Sequence, residues 1–214
     1  MEKLYDLSPK VETLGGKENM ERDWHNLLKA HEGVCSFRLY RWKEPTISIG
    51  YSQEIIYKDL PNVKRPTGGG ALLHHLDLSF SYAGLREAWG GSFANIYRNF
   101  MGLLLDSLRE LEPSLEMSRY RGGYEDYFCY FYPTLGEITY RGRKLIACAM
   151  RLTKKAFLIH GSFFLDFDFE FFQRLTGIKA KRLKERIITF KELGLQEAQI
   201  LKPLEYLKIN LCQS

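Results

Sequence analysis

The alternation of apolar and polar residues predicts a β-sheet built from short strands. Pro45 and Gly142 lie in turn-prone stretches between such segments, and Gly161 and Ser162 predict an interruption of the last one. The predicted strands are residues 37–42, 46–51, 137–140, 145–150 and 156–165. In this interpretation the segments 137–140 and 145–150 form a hairpin.

Apolar residues that recur every three or four positions predict helices packed on this sheet. Met20, Trp24, Leu27 and Leu28 form the stripe of a first amphipathic helix. A longer stripe over residues 93–111 ends before Pro113 and is typical of a core helix. Shorter helices are predicted after Thr189 and from Pro203 to Leu211.

The composition predicts one globular domain over residues 1–214. The chain has 214 residues, 45% of them hydrophobic, which is enough for one substantial core, and no segment resembles a linker. No apolar run approaches the roughly 20 residues of a membrane span, and the N-terminus lacks the apolar core of a signal peptide. We therefore expect a cytoplasmic protein with no membrane partner.

Four cysteines are scattered along the chain at positions 35, 129, 148 and 212. They lack Cys-x-x-Cys spacing, which argues against a zinc site or a disulfide framework. We interpret them as free thiols and predict no metal site.

The net charge of +5 is concentrated in one segment, residues 179–191. This basic segment contains Lys179, Lys181, Arg182, Lys184, Arg186 and Lys191, with Glu185 as its only acidic residue. Such a patch attracts nucleic acid or an acidic protein, although a solvated face is the commoner explanation. No helix-turn-helix, RNP-like or zinc-finger pattern accompanies it, so we predict no nucleic-acid partner.

The stretch from Tyr124 to Asp168 contains the candidate chemistry. It holds the thiol of Cys129, the amine of Lys144 at the start of an apolar run, and His160 beside a Gly-Ser pair. A partly desolvated amine acts strongly on a nearby carbonyl or thiol. Each residue also has an ordinary structural explanation. Cys129 could be a small buried apolar residue, Lys144 a solvated charge that protects a sheet edge, and His160 a core histidine with its hydrogen bonds made.

A glycine-rich loop supplies a second candidate site. Gly68, Gly69 and Gly70 leave backbone N–H groups open to an anion or a carbonyl oxygen, and Arg65 places a positive charge beside them. His74 follows four residues after the last glycine. A glycine-rich turn alone is weak evidence of binding.

Taken together, these motifs resemble the biotin and lipoate protein ligase and octanoyltransferase superfamily. Its pattern Lys-x-x-Gly-x-Ala followed by His-Gly-x-Leu-Leu-x-x-x-Asp is similar to residues 144–149 and 160–168, with Ala147 in place of the usual glycine. Further blocks match in order: Asn19-Met20-x-x-Asp23, Trp42-x-x-Pro45-x-x-Ser48-x-Gly50-Tyr51-x-Gln53, and Arg65-x-x-Gly68-Gly69-Gly70-Ala71 with His74. The resemblance covers roughly residues 16–168.

Two blocks are closer to the ligase-like octanoyltransferases than to lipoate-protein ligase A. The segment from His74 to Ser81 has the spacing of the transferases, and Cys129-x-x-x-Pro133-Thr134-x-x-Glu137-Ile138 resembles the segment in which they carry their acyl-bearing cysteine. Gly70 stands where transferases often have arginine, and His75 where both groups usually have aspartate.

The resemblance implies an α+β fold, a mixed β-sheet flanked by helices, of the class II synthetase and biotin-lipoate ligase catalytic-domain type. It implies an octanoyltransferase that moves an octanoyl or lipoyl group from acyl carrier protein, through a cysteine thioester, to a lysine of a lipoyl domain or of the glycine cleavage H protein. The implied catalytic residues are Cys129 and Lys144, and the implied substrate-binding residues are Arg65, Gly68, Gly69, Gly70, His74, Ala147, Ala149, His160 and Gly161. No cofactor is implied, and Lys144 is expected to lower the pKa of Cys129.

Two alternatives stay open from the sequence. The first is an ATP-dependent lipoate-protein ligase, in which ATP and magnesium would be required and Lys144 and the glycine loop would bind a lipoyl-adenylate. The chain is expected to lack the accessory domain of full-length ligase A enzymes, which weakens this alternative. The second is a non-catalytic module that binds a carrier protein or octanoate. Aromatic residues around Cys129 either line an acyl tunnel or simply pack.

Overall fold

The computed structural model describes residues 4–7, 11–120 and 126–213, and Tyr124 lies outside these ranges. The strands are β1 (Leu4–Leu7), β2 (Glu12–Leu14), β3 (Val34–Trp42), β4 (Thr46–Ile49), β5 (Asn62–Lys64), β6 (Leu72–His74), β7 (Leu78–Leu85), β8 (Leu115–Met117), β9 (Ile138–Tyr140), β10 (Arg143–Lys144), β11 (Ile146–Leu152) and β12 (Ala156–Phe163). The helices are α1 (Gly16–His31), α2 (Phe93–Arg109), α3 (Phe169–Thr176), α4 (Ala180–Lys184) and α5 (Glu197–Gln213).

The largest sheet has six strands in the order β1-β3-β7-β12-β11, with β2 paired to β3 as well. The strands β1 and β2 run parallel to β3, whereas β3, β7, β12 and β11 are antiparallel neighbours. Two three-stranded sheets, β5-β4-β6 and β10-β9-β8, adjoin it. The expected mixed sheet with flanking helices is confirmed.

Alternation along the central strands separates an apolar face from a mixed face. In β7, Phe80 and Tyr82 belong to the core cluster that contains the buried residues of α2, whereas Ala83 packs with Leu27 of α1. Ser79 and Ser81 share the face of Ala83, because side chains two residues apart point the same way. The α1 face therefore changes from apolar to polar along the strand.

Two strand predictions were wrong in detail. The strand β12 continues through Gly161 and Ser162 because both are paired in register with β7 and β11. A Cβ at Gly161 would lie 2.3 Å from the carbonyl oxygen of Ala147, so glycine here permits close strand packing rather than a turn.

The predicted hairpin of residues 137–140 and 145–150 also differs. The turn at Arg141 and Gly142, both with positive φ, joins β9 to the short strand β10. The chain then crosses into the main sheet as β11. Lys144 thus lies at the junction of two sheets.

The predicted helices are present with shifted ends, except after Thr189. There the Thr189 hydroxyl and the Glu192 side chain close a hydrogen-bonded turn instead of a helix. The last helix begins at Glu197 and contains Pro203 in its interior. None of the helices in the described ranges has the length and apolar character needed to cross a membrane.

Candidate active site

A cavity opens on the polar part of the α1 face. Its lining comes from α1, from six strands, from the glycine loop and from the segment that begins with Cys129. The lining residues are Met20, Tyr40, Trp42, Ser48, Arg65, Gly69, Gly70, Leu72, His74, Ser79, Cys129, Tyr132, Thr134, Glu137, Ala147, Cys148, Ala149, His160, Gly161 and Ser162. Nine of the eleven site residues expected from sequence therefore meet here, and Gly68 and Lys144 lie just outside the lining.

Cys129 begins a short 3₁₀ turn that rests on the glycine loop. Its N–H donates to the carbonyl of Ala71 at 3.0 Å, and the N–H of Ala71 donates to Tyr127 at 2.8 Å. A Cβ at Gly70 would lie 2.9 Å from the Cys129 nitrogen and 3.0 Å from the Tyr132 hydroxyl. Glycine at position 70 therefore lets the thiol segment approach the loop, and the arginine often found there in transferases does not fit this packing.

Burial raises the pKa of the Cys129 thiol above its usual value. Lys144 and Arg65 lower this pKa and Glu137 raises it, but the desolvation effect is the largest. Lys144 lowers this pKa as expected, but the net shift is upward, because sequence reasoning counted the ammonium and not the loss of water around the sulfur. The resting residue at neutral pH is therefore a thiol.

We expect alkylation of Cys129 by iodoacetamide to accelerate about tenfold per pH unit from pH 7 to 8.5, since only the thiolate reacts and its fraction is small throughout this range. Mass spectrometric peptide mapping resolves Cys129 from Cys148, whose pKa burial raises further. Cys35 is buried, and the Cys212 side chain lies outside the described residues. A rate plateau below pH 7.5 would contradict the raised pKa, and Cys129→Ser is the control.

Lys144 is completely buried directly behind the cavity wall. Its ammonium forms an ion pair with Glu137 at 2.8 Å and donates a hydrogen bond to the carbonyl oxygen of Cys129. The Nζ atom also lies 5.7 Å from the centroid of the Tyr132 ring. A buried positive charge is therefore held beside the segment that begins with Cys129.

Arg65 braces the glycine loop. One terminal nitrogen donates to the carbonyl and hydroxyl oxygens of Ser48 at 2.9 and 2.8 Å, and the other donates to the carbonyls of Gly68 and Gly70 at 3.0 and 2.8 Å. Burial lowers the pKa of this guanidinium, while the Cys129 thiol, when ionised, raises it. Arg65 therefore fixes the loop backbone and supplies positive charge to the cavity.

His74 lies in a chain of hydrogen bonds that selects one tautomer. Asp77 is a carboxylate whose pKa is held low by His74, Ser162 and Ser79, so Nδ1 of His74 donates to it at 2.8 Å. In the neutral ring Nε2 is then the acceptor, and the Ser48 hydroxyl donates to it at 2.8 Å. Burial lowers the pKa of His74, and the ring of Trp42 stacks on it with centroids 3.8 Å apart. His74 is thus a neutral, fixed part of the wall.

His160 occupies a second chain of this kind. Its Nδ1 lies 2.8 Å from Asp23 and its Nε2 lies 2.7 Å from the hydroxyl of Thr67. Asp23 also pairs with Arg38 at 3.0 Å and accepts a hydrogen bond from Ser81 at 2.7 Å. Burial alone would raise the pKa of Asp23, but His160 and Arg38 hold it below its usual value.

Sequence reasoning missed the carboxylates that order this site, Asp23, Asp77 and Glu137. Asp23 shares the helix face of Met20 and Leu27, and a charged residue on an apolar stripe is a readable signal of a buried partner. Glu137 belongs to the motif that begins with Cys129, but the sequence predicted no function for it. It is 2% exposed, lines the cavity together with Cys129 and forms an ion pair with Lys144.

Comparison with known proteins places this geometry in a family. Residues 17–196 match the family model described as the lipoyl protein ligase A/B catalytic domain. Octanoyltransferase LipM of Carboxydothermus hydrogenoformans is 30% identical over 189 residues, covering 82% of this chain and 70% of that protein. Octanoyltransferase LipM of Symbiobacterium thermophilum is 32% identical over 197 residues, covering 80% and 70%.

Solved structures agree on the fold. A lipoate-protein ligase A bound with ATP superposes with a TM-score of 0.71 at 19% identity, covering 100% of this chain and 95% of that one. A bipartite lipoate protein ligase of Thermoplasma acidophilum superposes with a TM-score of 0.68 at 20% identity, covering 97% and 82%. The family model covers most of the chain, and the chain belongs to the lipoyl protein ligase A/B catalytic domain family.

Proposed function

We propose that this protein is an octanoyltransferase of lipoate assembly that carries the acyl group on Cys129. The observation that carries the proposal is the position of Cys129, which places a thiol in the cavity wall next to a buried ammonium. Relatives named octanoyltransferase, about 30% identical over most of the chain, support the same activity.

The reaction takes place in two balanced steps. In the first, the Cys129 sulfur attacks the carbonyl carbon of an octanoyl thioester, the donor's carbon–sulfur bond breaks, and the proton of Cys129 ends on the released thiol. In the second, a lysine amine of the acceptor attacks the Cys129 thioester, an amide forms, and the thiol is regenerated. Thioester exchange is near isoenergetic and amide formation is downhill, so the cycle needs no ATP.

Lys144 stabilises the charge that appears in both steps. Each attack creates a tetrahedral oxyanion, and the buried Lys144 ammonium beside Cys129 attracts that charge. Glycine-loop N–H groups at Gly69 and Gly70 are further candidate donors for the oxyanion.

The acyl chain is proposed to lie along the apolar part of the lining. Ala147 and Ala149 of β11 and Gly161 of β12 present little side-chain volume there, while Leu72 and Met20 supply apolar contact. The neutral, hydrogen-bonded state of His74 adds no charge to this part of the wall. These residues bind and orient the chain rather than react with it.

The proposal is tested by incubating the protein with octanoyl-acyl carrier protein and an apo lipoyl domain, with and without ATP. We expect octanoylation of the lipoyl lysine at equal rates in both mixtures. Transfer that requires ATP, with free octanoate or lipoate as donor, would support a lipoate-protein ligase instead.

We propose acyl carrier protein as donor and a lipoyl domain or glycine cleavage H protein as acceptor, docked at the basic segment 179–191. This segment adjoins the site, because the main-chain N–H and C=O of Lys144 bond to Arg186 and Ile188. Within it, Arg182 pairs with Asp126 at 2.8 Å and stacks on Phe131, so this residue supports the Cys129 loop. The side chains that remain exposed include Lys179 and Lys181.

Reversing Lys179 and Lys181 to glutamate is expected to raise the KM for one carrier roughly tenfold at low salt, because exposed charges steer an acidic partner. The effect should fade with added salt, since screening acts over about 8 Å at physiological ionic strength. Hydrolysis of a small octanoyl thioester should stay unchanged. The matched control reverses Lys154 and Lys155, which are exposed on the turn between β11 and β12. Equal KM values in both double variants would mean that the segment is an ordinary solvated face.

A further inference from the structure

Glu137 forms hydrogen bonds that close the tight turn of residues 134–137. Its N–H donates to the carbonyl of Thr134 at 3.1 Å, and its carboxylate Oε2 accepts the N–H of Thr134 at 2.6 Å. Gly136, with φ of 86°, supplies the left-handed residue that this tight turn requires. The carboxylate therefore points back into the segment that begins with Cys129, instead of into solvent.

The same carboxylate ties that loop to the main sheet. Oε1 accepts the N–H of Cys148 at 3.1 Å. Because β11 is the last strand in the sheet order of the described residues, this N–H faces an edge without a neighbouring strand. Glu137 takes the place of that missing strand, and the edge of β11 is held at a fixed distance from the Cys129 loop.

The third contact of Glu137 is the ion pair with Lys144 at 2.8 Å. Lys144 in turn donates to the carbonyl oxygen of Cys129, so carboxylate, ammonium and carbonyl form one buried chain. At the sulfur the two charges oppose each other: Lys144 lowers the pKa of Cys129 and Glu137 raises it. A residue that only braced the loop would not need this charge.

From these contacts we propose that Glu137 is a positioning residue for the transfer reaction. It holds the Lys144 ammonium beside Cys129, and it offsets that charge so that the thiol stays protonated until a thioester donor arrives. The inference rests on the proposed octanoyl transfer. It adds a residue that acts through Lys144 and controls the reactivity of Cys129.

The experiment compares Glu137→Gln with Glu137→Asp in two measurements. The first is the pH profile of Cys129 alkylation by iodoacetamide, which needs no substrate. The second is the single-turnover rate of octanoyl transfer. Glu116, which is exposed on β8 opposite Thr139 of β9, gives the control Glu116→Gln.

Glu137→Gln is expected to move the two measurements in opposite directions. Loss of the negative charge leaves Lys144 unopposed, so the alkylation profile shifts to lower pH and the thiol reacts faster at pH 7.5. Transfer is expected to fall by roughly 10²-fold, because the ammonium loses its anchor. Glu137→Asp keeps the charge and shortens the reach, so transfer should fall while the alkylation profile stays that of the wild type.

A purely structural role predicts a different result. A loosened loop would speed alkylation of Cys129 and Cys148 alike in both variants without moving the pH midpoint, and that result would overturn the proposal. The proposal would also be overturned if Glu137→Asp transferred the octanoyl group as fast as the wild type, and this test holds even if Glu137→Gln does not fold. Absence of octanoyl transfer in the wild type would refute the proposed function, whereas the alkylation profiles report on Glu137 independently of it.

Discussion

Replacing Cys129 with alanine is expected to abolish the octanoyl-enzyme thioester and to lower transfer to the lipoyl domain by about 10⁴-fold or more, the scale seen when a covalent nucleophile is removed. The effect should be this large because the described residues of the lining include no second thiol of similar reactivity. Cys148 shares the lining, but burial and Glu137 raise its pKa well above the usual value. Intact-protein mass spectrometry after exposure to octanoyl-acyl carrier protein should show one hydroxylamine-labile adduct in the wild type.

Cys148→Ala is the matched control, since it removes the other thiol of the same cavity. This variant should still form the adduct, and Cys129→Ser should not form a labile thioester. An adduct that persists in Cys129→Ala and disappears in Cys148→Ala would show that Cys148 is the nucleophile. If no form of the protein gives an adduct, the lipoate-protein ligase alternative is favoured.

The sequence predicted the members of the site better than their arrangement. Short motifs record which residue types must be present, and nine of the proposed residues do line one cavity. Lys144 shows the limit of this approach. It was expected at the start of the apolar strand 145–150, but it lies in β10, which belongs to a separate small sheet, and its buried ammonium pairs with Glu137.

Burial explains most of what the sequence did not reveal. The direction of a pKa shift depends on the balance between desolvation and nearby charge, and both depend on how segments distant in the sequence pack together. Cys129 shares its cavity with the glycine loop and with β11, and these segments are far apart in the chain. Likewise, Gly161 looked like a turn because its close contact with Ala147 on the neighbouring strand is invisible in sequence.

Lys144→Ala is expected to slow both acylation of Cys129 and transfer to the lipoyl domain by roughly 10² to 10³, the usual cost of losing one donor to an oxyanion. ATP should change neither rate. The substitution also leaves Glu137 buried without its partner, and breaking a buried ion pair costs about 3–5 kcal/mol of stability. The free energy of unfolding must therefore be measured alongside the rates.

The double variant Lys144→Met with Glu137→Gln separates the catalytic loss from the loss of stability. With neither charge present, no unpaired ion is buried, so the stability of the double variant should recover while transfer stays slow.

Lys144→Arg should not rescue transfer, because the planar guanidinium is larger than the ammonium and the site around Nζ is closed by Glu137 and Cys129. In a ligase, Lys144 would instead hold an acyl-adenylate. Pyrophosphate release from ATP by the wild type, lost in Lys144→Ala and kept in Cys129→Ala, is the result that would replace the transferase assignment.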